Sequence, residues 1–297
     1  MTHACDPPVQ QTEEVQMNIH TTDRQNGQSP SQAIYGELKS PAPSLLDAVL
    51  ERLSKPGRGD GSRPLLPSAT VVLAPDGAAI RSVLTGRRVM VTGFYNSRKA
   101  GRALPYEGMN ELALLKHCEV DTSVIDYRSQ PFRFEFVIEG AKRIYIADCV
   151  RLLDDGTVEV IEAKGRLRQL LAPDYAEKLD AVRDACVKLG WRFRVLSQKQ
   201  LFEPHQVYAN VDRIQSRRMV RFDQIDAYRA IEHVERQGGQ TTLGSLADVV
   251  AAGPRGLAIS QAMMVRRLVK IDLSARLSAE NRVSLIAHRP GERGVFR

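Results

Sequence analysis

Asp148, Glu162 and Lys164 stand where a pair of apolar strands should bury its interior, in the stretch RIYIADCVRLLDDGTVEVIEAKG over 143–165. Two acidic side chains and an ammonium are the groups that metal-assisted phosphodiester hydrolysis needs. Hard carboxylate oxygens hold a divalent cation, and positive charge stabilises the attacked phosphate. Whether the three meet depends on the turn between them. If Asp155-Gly156 is a two-residue loop, Asp148 pairs with Ala163 and points away from Glu162 and Lys164, because strand faces alternate with period two. If Asp154-Asp155-Gly156 is a three-residue loop, Gly156 takes the left-handed position of a bulge. Leu152 then meets Val158, Val150 meets Val160, Asp148 meets Glu162, and Ile146 meets Lys164. This second register gathers the charges at one end of an otherwise apolar face that starts at Ile144, and it is the one expected. Opposed carboxylates repel, and burying them adds a desolvation cost. The cluster therefore implies a counter-charge, Mg²⁺ with Mn²⁺ as its substitute. A plainer reading competes: Asp148 caps a strand end while Glu162 and Lys164 are solvated at a sheet edge.

The flanking residues predict the elements that must position this hairpin. Leu112, Leu115 and Cys118 recur at helical spacing, with Leu114 beside them, which predicts a helix over 104–118. In FRFEFVIEG, Phe132, Phe134, Phe136 and Ile138 alternate with Arg133 and Glu135, a strand with one buried face turned at Glu139-Gly140. A second helix is predicted over 173–189 from Leu179, Val182, Cys186 and Leu189, with Gly190 ending it. WRFRVLS then alternates as a strand with Trp191, Phe193 and Val195 on one side. Helix, three strands, helix, strand is an α/β order, a sheet flanked by helices. Cys149 falls on the face opposite Asp148 and reads as core.

Four regions follow. Residues 1–42 are rich in Gln, Ser, Pro and Thr and read as a disordered arm. Residues 43–68 hold a short helix, LLDAVLERL, and the Gly/Pro-rich linker SKPGRGDGSRPLLPS. Residues 69–204, opening on short strands over 69–94, carry the candidate catalytic domain. Residues 205–297 read as an α+β domain in winged-helix order. Its first helix is marked by Ile225, Tyr228, Ile231 and Val234, its second is capped by Thr242, its third runs from Ile259 to Leu268, and ARLSAENRVSLIA forms a two-stranded wing. From 206 onward the chain has 15 Lys and Arg against 9 Asp and Glu, most of the net +7 of the whole. That surplus suits an acidic partner such as DNA. Cys5, Cys118, Cys149 and Cys186 form no CxxC and suggest no disulfide framework, and the six histidines are scattered. No apolar run of membrane length and no signal-peptide layout is present, so a cytoplasmic location is expected.

The IAD and EAK strands between two helices resemble the PD-(D/E)xK nuclease superfamily. More narrowly, ELALLKHCEVDTSVIDYRSQPFRFEF, with its helix, acidic turn, V-x-x-x-R-x-Q and aromatic strand, is similar to the TnsA endonuclease subunit of heteromeric cut-and-paste transposons, as is the basic SRKAGR upstream. The resemblance implies a restriction-endonuclease-like mixed sheet. It implies Glu111 as a helical catalytic glutamate and metal ligand, Asp148 as the metal-binding aspartate, Glu162 as the second ligand and Lys164 as the catalytic lysine. Glu107, read as one helical turn before Glu111, could assist it. The implied activity is cleavage at the 5′ ends of a transposon in a bacterial cytoplasm, beside a DDE transposase that cuts the 3′ ends, with an AAA+ ATPase contacted through the C-terminal domain.

Arg98, Lys99 and Arg102 of SRKAGR, with Arg166 and Arg168 after the motif, are candidate DNA contacts. Lys178 is a further phosphate candidate, and Arg266 and Arg267 are candidates for a major groove or a protein partner. Two other functions fit the same core: a stand-alone restriction-type endonuclease, and a non-catalytic DNA-binding adaptor.

Overall fold

The computed structural model describes residues 45–52, 62–66, 69–74, 78–81, 91–165 and 172–286. All of them lie in one compact unit spanning 42–297. The arm over 1–42 and most of the linker lie outside the described residues.

The chain enters through α1 (Leu45–Glu51), β1 (Ser62–Leu66) and β2 (Ala69–Leu73), then β3 (Thr92–Asn96), β4 (Ala103–Glu107) and α2 (Met109–Val120). Five strands follow: β5 (Val124–Ser129), β6 (Phe132–Ile138), β7 (Ala141–Ile146), β8 (Cys149–Leu153) and β9 (Val158–Lys164). Next come α3 (Pro173–Lys188), β10 (Arg192–Ser197), α4 (Gln198–Phe202) and α5 (His205–Gln215). The C-terminal part is α6 (Gln224–Arg236), β11 (Gln240–Thr242), α7 (Leu243–Val250), α8 (Pro254–Val265), β12 (Val269–Ile271) and β13 (Arg282–Leu285).

The central sheet has the order β10-β9-β8-β5, with β10 parallel to β9 and the other pairs antiparallel. It is a mixed α/β sheet with a helix against each face. Val150, Leu152, Val158 and Val160 turn toward Leu179, Val182 and Cys186 of α3. Cys149, Leu153 and Ile161 turn toward Leu114, Leu115 and Cys118 of α2. β8 is therefore buried on both faces along its whole length, which is why its sequence is a near-continuous apolar run. Cys149 is core, on the face away from Val150.

The three-residue turn is present. Leu152 pairs with Val158 and Val150 with Val160, and Gly156 has φ +84°, a conformation natural to glycine and costly for a side chain with a Cβ. The strand before the turn differs from expectation. It breaks at Ala147-Asp148, and β7 belongs to a second, antiparallel sheet with the order β1-β2-β6-β7. Ile146 pairs with Arg133, not with Lys164, and Ile144 is half-exposed on that sheet. The phenylalanines of β6 explain the defection. Phe132, Phe134 and Phe136 are buried and stack along one face, and only a second sheet offers them partners on both sides. The linker likewise contributes an edge strand, β1, where Pro64 is tolerated because an edge needs fewer N–H donors.

The helix expected over 104–118 starts late. Residues 103–107 form β4, paired with β3 so that Phe94 faces Pro105, and Gly108 at φ 89° turns the chain into α2. Glu107 is thus a strand residue and not a member of the helix.

At the other end, α5 packs on both α2 and α8, so 205–297 is not a separate body. Three helices, α6 to α8, and the antiparallel sheet β11-β13-β12 enclose a core of Val234, Leu246, Ile259, Met263 and Val283. Thr242 caps α7 as read, accepting from the N–H of Ser245 at 3.2 Å. Two details change. The buried stripe of α6 is Ala227, Ala230 and Val234, leaving Ile225 and Tyr228 exposed, and 272–281 is a connection, so the wing pairs β12 with β13.

One buried ion cluster pins α1 to the central sheet. Arg128, 0% exposed, donates to both carboxylate oxygens of Asp47 (3.1 and 2.9 Å) and to Asp126 (2.6 Å). Removing one member of a buried cluster strands the others without a counter-charge. Arg128→Met is expected to lower stability by about 3–5 kcal/mol in urea unfolding, and Asp47→Asn by less, because Asp126 still holds the guanidinium.

Candidate active site

Asp148 occupies the gap where the chain leaves one sheet and enters the other. The β8–β9 ladder begins at Cys149 opposite Ile161, so the N–H of Ala163 has no strand partner on that side. The Asp148 Oδ2 accepts it at 2.8 Å. From behind, the N–H of Gln130 donates to the Asp148 carbonyl at 3.3 Å. Gln130 is buried with φ 49°, and its side-chain oxygen accepts from Arg81 at 3.1 Å. The plainer reading of Asp148 as a strand-end cap is thus half of the truth. It fails for Glu162, which is 3% exposed.

Glu162, from β9, is surrounded by donors. Its Oε2 accepts from the Tyr145 hydroxyl at 2.8 Å, and its Oε1 accepts from the Tyr175 hydroxyl at 2.6 Å and pairs with Lys164 Nζ at 2.5 Å. Burial alone would lower the Lys164 ammonium, but Glu162 and then Tyr175 outweigh it and hold the group above its ordinary value. Lys178 joins the same corner, its Nζ 4.7 Å from the Tyr175 ring centre. Burial lowers its ammonium, Glu162 partly compensates, and Lys164 and Arg143 lower it further.

Desolvation, then Glu162 and then Glu111 push the Asp148 carboxyl well above its usual range; the Ala163 N–H and Lys164 offset only part of this. Glu111 reaches the site from the first turn of α2, where its Oε2 also accepts the N–H of Glu107 at 2.8 Å. Glu107 itself is buried and paired with Arg81 at 3.2 Å. It secures the helix start instead of standing one turn before Glu111.

Among the described residues no three His, Cys, Asp or Glu side chains are grouped to hold a metal, and one Glu111 oxygen accepts the Glu107 N–H while its charge still acts on Asp148. A pair of hard-oxygen ligands, Asp148 and Glu162, with uncompensated negative charge around Asp148, still fits Mg²⁺, which takes one or two carboxylates and fills its other positions with water and phosphate.

The basic candidates divide. Arg98 is exposed, with its backbone N–H on Glu119 at 2.7 Å. Lys99 turns inward and donates to the carbonyls of Cys118 (3.0 Å) and Asp121 (2.6 Å) at the end of α2. Arg102 pairs with Asp47 at 3.3 Å. Arg266 caps α8 over the Phe222 ring with one nitrogen on the Val220 carbonyl, and Arg267, nearly buried, donates to the Thr122 carbonyl. Lys99, Arg102, Arg266 and Arg267 thus each make a contact within the fold. Arg166 and Arg168 lie outside the described residues. The sequence reading missed Tyr145, Tyr175 and Gln130. The R-x-Q spacing signalled only the last.

A family model described as "TnsA-like endonuclease N terminal" matches residues 121–198. The match contains Asp148, Glu162, Lys164, Tyr145 and Tyr175, and stops short of Glu111. No curated protein matches the chain.

Two predictions follow from these charges. Asp148→Asn keeps an oxygen for the Ala163 N–H but removes a repelled charge, so at neutral pH its unfolding free energy should exceed the parent's by about 1 kcal/mol. Burial pulls the Lys99 ammonium down to about 8, with Glu119 and Asp121 resisting. The unfolded chain keeps that proton up to about pH 10.4, so between these values the unfolded state binds more protons and Lys99 makes stability rise with pH. Unfolding free energies measured from pH 8 to 10 should show this rise relative to Lys99→Met.

Proposed function

We propose that this chain, which carries a TnsA-like endonuclease N-terminal domain over 121–198, is the metal-dependent DNA endonuclease subunit of a heteromeric transposase, cutting at the 5′ ends of a transposon. The observation that carries the reading is the convergence on one sheet end of Asp148, Glu162 and Lys164, inside the matched segment. Asp148 and Glu162 are the residues that would hold Mg²⁺, or Mn²⁺ in its place, with Glu111 adding negative charge from α2. The bound cation would supply charge neutralisation at the scissile phosphate and acidify a water bound to it.

The chain's own residues do the rest. Lys164 cannot serve as a base while it keeps its proton. Its ammonium instead donates to the attacking oxygen or to the phosphate oxygen on which charge grows. Lys178 and Arg143 extend the positive surface on which neighbouring phosphates can rest, and Arg98 offers an exposed contact on the β3–β4 connection. Screened phosphate contacts of this kind predict an affinity that falls with salt.

No helix among the described residues is long and apolar enough to cross a membrane. The order α6, β11, α7, α8, β12, β13, with its β11-β13-β12 sheet, supports the reading of a C-terminal winged-helix module for DNA or for a regulatory AAA+ partner.

The test mixes the full-length protein with transposon-end DNA, Mg²⁺ and a DDE transposase from the same element. Cuts at the 5′ ends are expected, lost by at least about a hundredfold in Asp148→Ala and Lys164→Ala. Full cleavage by both variants would sink the assignment. Efficient cutting of DNA without the transposase would point to the autonomous restriction-type enzyme, and unchanged transposition with Asp148→Ala to the non-catalytic adaptor.

A further inference from the structure

The donors around Glu162 are not equivalent. Tyr145 is 3% exposed in β7, with Phe134 stacked at 6.5 Å and Phe193 edge-on at 6.2 Å. Its ring cannot turn without disturbing two aromatic contacts at once, so its hydroxyl is a fixed point. Tyr175 is only half-buried and lies in the first turn of α3, where Lys164 and Lys178 sit over its ring at 5.1 and 4.7 Å. Its hydroxyl is fixed to the ring, so it leaves Glu162 only when the half-buried ring tilts or the first turn of α3 shifts.

The two hydroxyls also act on different oxygens. A carboxylate oxygen has two lone pairs in its plane. Oε1 of Glu162 spends both, one on Tyr175 and one on Lys164, whereas the described partner of Oε2 is Tyr145 alone. Oε2 therefore has a lone pair to offer a cation, and Oε1 has none until one donor withdraws.

We infer that Tyr145 and Tyr175 are positioning residues for Glu162 with opposite effects on divalent-cation binding: Tyr145 fixes the plane of the carboxylate so that Oε2 faces Asp148, and Tyr175 is a latch that occupies Oε1. The inference rests on the reading of Asp148 and Glu162 as the cation ligands. Withdrawing Tyr175 rather than Lys164 frees Oε1 and leaves the ammonium beside the phosphate. Anything that shifts the first turn of α3, such as DNA lying across Lys178, would open the latch and admit a cation when substrate is present.

The experiment titrates the full-length protein with Mn²⁺ and follows the free ion by electron paramagnetic resonance, with a thermal melt of each variant. Tyr145→Phe is expected to bind about tenfold more weakly, the usual scale for losing a residue that orients a ligand. Tyr175→Phe keeps the ring and is expected to bind about fivefold more tightly, equivalent to one hydrogen bond that no longer competes. A merely structural tyrosine would not give a gain, so unchanged or weaker binding by Tyr175→Phe overturns the latch. If Tyr145→Phe fails to fold, the Tyr175→Phe arm decides alone. Asp148→Asn and Glu162→Gln separate the two levels. Loss of Mn²⁺ binding in both, with no gain in Tyr175→Phe, removes the latch but leaves the cation site standing. Parent-like binding in both removes the site and the latch with it.

Discussion

The hydrogen bond from the Ala163 N–H to the Asp148 carboxylate, 2.8 Å long, closes a place where the central sheet is torn. β8 stops pairing at Cys149 because the preceding residues have gone to the second sheet, and β9 runs on to Lys164 with only its β10 edge paired. An unpaired N–H in that position would have to be left to water or capped. A carboxylate caps it, and in doing so its own position is fixed to within a hydrogen bond of the strand that carries Glu162 and Lys164. The chemistry is a by-product of repairing a sheet edge, and it puts an acidic group where three negative side chains can feel one another.

That arrangement is costly by itself, and the surrounding structure distributes the cost unevenly. Glu162 is satisfied by two phenols and an ammonium. Asp148 gains one N–H and is left with desolvation and two neighbouring carboxylates. Elsewhere in the same domain buried carboxylates are compensated. Glu119 accepts from Ser97, Tyr127 and the Arg98 N–H at 2.7 Å each, and Glu159 faces Arg151 directly across the β8–β9 ladder. Asp148 lacks such compensation, and perturbed acids tend to mark function.

The compensated clusters explain what happened to the basic residues near the motif. Lys99 meets the carbonyl end of α2, where the helix dipole favours a cation. Arg102 and Arg128 share Asp47 and so dock α1 onto β5. Arg267 reaches from the end of α8 to the Thr122 carbonyl, joining the C-terminal helices to the α/β core. A basic composition therefore overstates the free positive surface, since part of the charge is internal mortar.

Local chemistry was readable from the residues alone. An Asp-Asp-Gly turn with glycine in a left-handed conformation sets a three-residue loop, and period two then places Val150 opposite Val160 and gathers the acidic end of the hairpin. Likewise Thr242 before an apolar helix, Gly190 after one, and the alternating phenylalanines needed no distant partner to be interpreted. Three things depended on partners far along the chain. The phenylalanine face of β6 drew β7 into a sheet with β2, which broke the hairpin at Ala147 and made Asp148 a cap. Pairing with β3 turned 103–107 into a strand and detached Glu107 from the helix. The hydroxyls that hold Glu162 come from 17 and 13 residues away, on a different strand and on a helix. Turn type and face alternation are properties of a few consecutive residues, but the choice of sheet partner and the convergence of donors on one carboxylate are settled by burial, which exists only once the whole chain has packed.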